Sequence, residues 1–324
     1  SNTSAMNLKL FKCLFLLSLI AAACKNNKTL NVPHFDKDKA YSFVRKQTQF
    51  GPRVPNSAAH EACKEWMVNL FKSQGAVVIE QTFETNAYDK QKLNGTNIIA
   101  SYHPEAKHRI LIASHWDSRP MCDQDPDTSY IRQAVLGADD GASGVGIILE
   151  LSRLLQQNEL KDLGVDFILF DCEDYGDAQG AVETWCLGSQ YWSRNKHTAN
   201  YKADYGILLE MVGAANPTYY QEEYSLQFAP KVIDKIWKLA HDEGYGQNFI
   251  AKKRQGLVDD HLFVNMIAKI PMIDIINCPP GSQTGFVNHW HTHKDDMNAI
   301  DPLSLELLGK ILIKLIYLED QGSI

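Results

Sequence analysis

The sequence predicts a three-layer α/β/α sandwich around a central mixed, mostly parallel sheet. Two observations carry that expectation. Apolar runs of strand length alternate with amphipathic runs of helix length through most of the chain, the pattern of strands stacked between helical layers. Runs such as "GVDFILF" and "YGILLE" are apolar without strict alternation, as strands covered on both faces require.

The elements follow in order. "KDKAYSFVRKQTQ" at 37–49 predicts a helix that stops at Gly51-Pro52. Asn56 is the expected cap of a second helix, "SAAHEACKEWMVNLFKSQ", ending at Gly75. Three β-like runs come next: "AVVIEQTFET", "TNIIASY" and "HRILIASHWD". "GASGVGIILELSRLLQQN" predicts a helix, "GVDFILFDCED" and "ADYGILLEMVG" buried strands, and "APKVIDKIWKLAHDEG" another helix. "IPMIDIINC" predicts a strand and "DPLSLELLGKILIKLIYLED" the closing helix. No internal repeat, low-complexity run or Pro/Ser-rich linker interrupts this, so residues 35–324 read as a single domain.

The chain has 324 residues, 44% hydrophobic, with a net charge of −7 and no basic block longer than "KKR". Nucleic acid is thereby excluded as an expected partner. Residues 1–23 read as a leader: "SNTSA" is a cloning remnant or misplaced start, and Met6 opens a short secretory signal. Lys9 and Lys12 precede an apolar stretch too short for a comfortable membrane span, and then "AAAC". Cys24 resembles a lipoprotein processing site, and residues 24–34 read as the lipidated Cys and a polar tether. The expectation is an exported, periplasmic monomer whose only membrane contact is that lipid. Five further cysteines follow Cys24, with no C-x-x-C among them. A thiolate zinc site is therefore not expected, and any disulfide pairing stays open.

Chemistry concentrates where the strands end. Apolar runs terminate in "HWDS", "DCED" and "EMVG", and open α/β sheets bind ligands beyond the carboxyl ends of their strands. His115, Asp117, Glu173, Asp174 and Glu210 are thus expected at one sheet edge. Asp139 and Asp140 sit in a Gly-flanked loop before a helix, where either would also serve simply as a cap. "HWHTHKDD" at 289–296 packs three histidines into five positions. Zinc takes His nitrogen and carboxylate oxygen, and catalytic sites keep one position open. In an extended segment His289, His291 and His293 would all face one way, so spacing alone does not choose a ligand. Asp295 and Asp296 read as supporting or solvated acids, and Trp185 and Trp192 as core or surface residues.

The ordered set "HWDS", "GADDGASG", "DCED" and "WHT" resembles the zinc aminopeptidase family over roughly residues 40–320. That resemblance implies that Asp140, Asp174 and His291 hold one zinc, that Glu173 handles protons, and that His115 and Glu210 hold a second zinc if the site is dinuclear. Asp174 and Glu210 depart from the hydrolases, which more usually carry Glu and Asp there. "LLEMVGAANPTY", Asp259 in "VDDH", and Trp290 in "NHWHT" are closer to one branch, the glutaminyl-peptide cyclotransferases of animal-like type in their Bacteroidetes form. This branch implies one zinc per chain and a reaction on the N-terminal Gln of peptides or proteins, giving pyroglutamate and ammonia. It makes Glu210 and Asp259 catalytic network residues, and Trp290 and Phe286 substrate contacts. His115 and Asp117 then read as a hydrogen-bonded structural pair. Two alternatives stand beside it: a two-zinc aminopeptidase, and a non-catalytic envelope lipoprotein that binds peptides or glycans.

Overall fold

Asp36 opens the fold: its carboxylate accepts the N–H groups of Asp38 and Lys39 and so starts α1 (Lys37–Gln49). The fold is that of a computed structural model describing residues 29–324. The leader and Cys24 lie outside the described residues. Val32–Ile324 form one compact unit.

Helix α2 (Ala58–Ser73) is capped by Ser57, whose side chain accepts from His60 N at 3.1 Å. The expected cap, Asn56, is displaced by one residue. Ser57 has the extended backbone a cap needs, whereas Asn56 is left-handed at φ 74° and clamps the second strand of the sheet through Lys92 O and Asn94 N. Strands β1 (Val77–Asn86), β2 (Lys92–Tyr102) and β3 (Arg109–His115) follow, then α3 (Ala142–Gln157), β4 (Gly164–Phe170), α4 (Leu187–Arg194) and β5 (Tyr205–Glu210). A two-stranded accessory sheet pairs β6 (Tyr219–Glu222) with β7 (Phe249–Arg254), and between them lie α5 (Glu223–Phe228) and α6 (Pro230–Asp242). α7 (Asp260–Phe263), β8 (Met272–Ile276) and α8 (Pro302–Asp320) complete the chain. The sequence did not announce α4, which is short and carries no clear apolar period. Nor did it announce the accessory sheet.

The central sheet runs β1-β2-β4-β3-β5-β8. β4, β3, β5 and β8 are parallel, and β1 and β2 join antiparallel. The expected mixed, mostly parallel sandwich is therefore the observed one. α1, α3 and α8 pack on one another. On β3, Ser114 faces α3, where Gly144 leaves no room for a Cβ. Leu111 and Ala113, alternate residues of the same strand, join Trp192 of α4 in a buried cluster on the other face. The chain thus leaves β3 through α3 on one face and β4 through α4 on the other. The ends of β4, β3 and β5, adjacent in the sheet, open into the crevice this reversal creates.

Among the described residues, no helix is long and apolar enough to cross a membrane. Cys63, Cys122, Cys172, Cys186 and Cys278 are free thiols.

Candidate active site

Each acid of the crevice is aimed by backbone geometry. After β4 the chain turns at Cys172 (φ 54°), and the next two N–H groups are captured by one carboxylate: Glu173 N to Asp117 Oδ1 at 3.1 Å and Asp174 N to Asp117 Oδ2 at 3.0 Å. With both oxygens used in this way, Asp117 is a scaffold. Asp139 N and Asp140 N are held likewise by Asp295, at 2.7 and 3.1 Å. The helix behind them starts at Gly141, φ 119°, where a Cβ would fall 2.6 Å from His115 O. Neither Asp139 nor Asp140 caps α3, which has no side-chain cap. Asp139 instead accepts from Gly213 N and pairs with His289.

The three clustered histidines do not share a face. The segment turns at His291, whose φ is 54°. His289 reaches Asp139 at 2.6 Å, and His293 reaches Asp125 at 2.6 Å while stacking on Tyr130. Only His291 enters the crevice. Its Nε2 lies 3.0 Å from Asp174 Oδ1 and 3.3 Å from Asp140 Oδ2. Ligand atoms about 2.0–2.1 Å from a tetrahedral zinc stand about 3.3 Å apart, so the two distances from His291 suit three of the four corners of a zinc shell. The fit is also chemical. Asp174 Oδ2 is buried with no protein partner, and two packed carboxylates are unfavourable without a cation. The residues therefore suit zinc, with one nitrogen and two anionic oxygens.

A second trio shares Asp140. His115 Nε2 lies 2.8 Å from Asp140 Oδ1 and 3.2 Å from Glu210 Oε1. His115 Nδ1 donates to Asp117 O at 3.1 Å. Burial opposes charge on this imidazole, but Glu210 and Glu173 outweigh it and raise His115 well above the usual histidine range. His291 behaves alike, through Asp174 and Asp123. Burial also raises Asp140, but hydrogen bonds from His115 and His291 win and hold it well below the usual carboxylate range. Burial lifts Asp174 to about 6 against the pull of His291. Burial, reinforced by Asp174, Glu210 and Asp259, pushes Glu173 well above its ordinary value. Glu210 shifts the same way through burial and Asp259.

These groups line a cavity of about 260 Å3 whose walls include Asp140, Glu173, Asp174, Glu210, Asp259 and His291. Its mouth is apolar: Trp290 stacks on His291 and tilts against Phe286. Trp185, expected in the core or on the surface, also lines it, because the buried Arg119 holds the indole ring from 4.6 Å. Trp192 is core, as expected. Sequence reasoning missed Arg119 and Asp123. Asp123 Oδ1 lies 3.5 Å from His291 Nδ1, and Arg119 binds both Asp123 and the carbonyls of Asp174 and Gly176. Asp295, one of the expected supporting acids, supports Asp140 rather than a histidine; Asp296 caps the short turn at 297–299.

A crevice at strand ends, lined by His and carboxylate donors over a doubly covered sheet, defines a zinc-exopeptidase-like protein. The pattern of peptidase family M28 matches residues 97–316, and the chain belongs to that family. A solved structure from Parabacteroides distasonis, described as a Zn-dependent exopeptidase, is 46% identical with a TM-score of 0.86, covering 89% of this chain and 99% of that one. Within the family, the likeness is to glutaminyl cyclases. The Bacteroides thetaiotaomicron glutaminyl cyclase bound to N-acetylhistamine is 47% identical over the same shares, with a TM-score of 0.86. The Drosophila melanogaster glutaminyl-peptide cyclotransferase is 24% identical over 83% of this chain and 77% of its own.

Proposed function

We propose that the chain is a zinc-dependent glutaminyl cyclase. It closes the N-terminal Gln of peptides or proteins to pyroglutamate and releases ammonia. One observation carries the mechanism: three carboxylates, Glu173, Glu210 and Asp259, face one small cavity beside the donor trio Asp140, Asp174 and His291. In the reaction the substrate α-amine bonds to its own side-chain amide carbon, and the bond from that carbon to nitrogen breaks. The amine gives up one proton and the departing nitrogen gains one. Glu173 stands beside the trio with its side chain on the cavity and moves that proton, as base and then as acid. Glu210 and Asp259 hold the amide N–H groups and keep the departing nitrogen aligned. Trp185, Trp290 and Phe286 cover the chain of the glutamine and exclude water. Asp140, Asp174 and His291 would hold one zinc, which would supply positive charge for the developing charge on the amide oxygen.

The count of one zinc rests on access. His115 is fully buried and forms no part of the cavity wall, whereas all three donors of the other trio line it. The His115–Asp140–Glu210 trio nonetheless gives a second reading, a two-zinc aminopeptidase. We also infer an exported, periplasmic monomer anchored through a lipid on Cys24; the support is the sequence "MNLKLFKCLFLLSLIAAAC".

The deciding experiment is mass spectrometry on two peptides, one beginning with Gln and one with Leu, with zinc counted by elemental analysis. Loss of one ammonia from the first only, at one zinc per chain, is expected. Release of a free N-terminal residue at two zincs per chain would overturn the reading.

A further inference from the structure

The carboxylate of Glu173 is held at a single point. Among the described residues, the one hydrogen bond it receives comes from the thiol of Cys186, whose Sγ lies 3.7 Å from Oε1. Oε2 lies 3.6 Å from His115 Nε2, beyond hydrogen-bond reach. Cys186 is fully buried and does not line the cavity. The reaction steps given above make no use of it.

Backbone geometry puts the thiol there. The turn that carries Glu173 is laced to the start of α4: Cys186 N, Leu187 N and Gly188 N donate to the carbonyls of Glu173, Cys172 and Asp171, each at 3.0 Å. The lacing is close, since a Cβ at Gly188 would fall 2.1 Å from Asp171 O. Cys186 stands at the cap position of α4 with a left-handed backbone, φ 55°, yet its side chain caps nothing in that helix. The thiol turns back instead to the residue whose carbonyl its own N–H already holds. Burial, with the charges of Asp260, Glu173 and Asp259, raises Cys186 well above the usual thiol range. It therefore keeps its hydrogen and is a donor rather than a nucleophile.

A thiol suits this place. A strong cationic donor would pin Glu173 as an anion. S–H is a weak donor, and a group that takes up a proton and returns it in each turnover needs a hold that opposes neither step. We propose that Cys186 is a positioning residue for the reaction: its S–H donates to Oε1 of Glu173 and leaves Oε2 as the oxygen that exchanges a proton with the substrate. The thiol keeps its own proton throughout. The role rests on Glu173 carrying the proton, as proposed above.

Two substitutions read the donor. C186A removes it and C186S keeps one; both leave a void in place of the sulfur, so lost packing is common to them. With wild-type cyclisation of a Gln peptide established first, C186A is expected to lose about threefold to tenfold in kcat, at unchanged KM and zinc content. C186S is expected to stay within about twofold of wild type. A fully active C186A, or a C186S as impaired as C186A, would overturn the proposal. A wild type without ammonia release would instead strike the cyclase reading.

The hydrogen bond itself is read without activity. The infrared S–H stretch falls in frequency when a thiol donates to a carboxylate. The spectrum of wild type minus that of C186S isolates the Cys186 band from those of the other cysteines. The same difference taken in a Glu173→Ala background, where the acceptor is gone, is expected to show that band at higher frequency. A band at one frequency with and without Glu173 would mean that the thiol does not donate to it, and would overturn the proposal whatever the kinetics show.

Discussion

His115 and His291 stand on opposite sides of Asp140, each within 3.3 Å of one of its oxygens, yet their surroundings differ. His291 forms part of the cavity wall under Trp185 and Trp290, and its two acids converge on one nitrogen while Asp174 Oδ2 stays unmet. His115 is sealed, with Nδ1 spent on Asp117 and Nε2 between Asp140 and Glu210. Donor spacing is similar at the two corners, so spacing does not distinguish a metal site from an ion pair. An unmet oxygen does not either, because Glu210 Oε2 at the His115 corner is as unmet as Asp174 Oδ2; the access of the histidine does. At the His291 corner all three donors line the cavity; at the His115 corner Asp140 and Glu210 line it and the histidine does not.

The comparison breaks most directly at the histidines themselves. His291→Ala should lose both zinc and turnover, whereas His115→Ala should keep about one zinc per chain, as read by elemental analysis of chelator-washed protein. If His115→Ala instead falls from two zincs to one, the sealed corner is a metal site after all. Full zinc in His291→Ala would move the ligand elsewhere.

The next effect sharpens what lies between the two corners. Glu173 is on the cavity, 3.6 Å from His115 and bonded to neither corner's metal donors through its carboxylate. Glu173→Gln keeps the volume and removes the proton carrier. It should lower kcat by about a hundred- to ten-thousand-fold, with zinc content unchanged. Retained turnover would remove the role assigned to Glu173.

How much of this was legible in the sequence follows from what kind of information each feature needs. The parallel strands and their helices show in hydrophobic runs, because burial on two faces leaves a mark at every residue. The convergence of His115, Glu173 and Glu210 follows from strand ends, because the sheet order brings those ends together. The choice among His289, His291 and His293 was not legible from spacing. It depends on one left-handed residue, His291 itself, which turns the segment and sends each ring to a different acid. Trp185 and Arg119 escaped for a related reason. Their contact spans two loops 66 positions apart, 119 to 185, and neither loop has a period to read. Asn56 lost the cap to Ser57 by a single residue because a backbone conformation, not a residue preference, decided between them.

The smallest effect concerns why the His291 ring is held where it is. A ligating imidazole generally gives its other N–H to a partner that fixes ring and tautomer. For His291 that partner is Asp123, at 3.5 Å from Nδ1. Asp123 is itself gripped by Arg119, whose Nε and Nη2 lie 2.9 and 2.6 Å from its two oxygens. The same guanidinium donates to Asp174 O and Gly176 O at 3.0 and 3.1 Å. Arg119 thus ties the loop that carries one acidic ligand to the group that orients the histidine ligand. Asp123→Asn keeps the shape but removes the charge that both Arg119 and His291 face. Because the contact to Nδ1 is long, the loss of zinc affinity should fall at the lower end of the range for such partners, about tenfold, measured by titration against a competing chelator. The His115 corner has its own orienting group in Asp117 and should not respond. An unchanged affinity in Asp123→Asn would mean that the ring is held by its stacking against Trp290 and Trp185 instead.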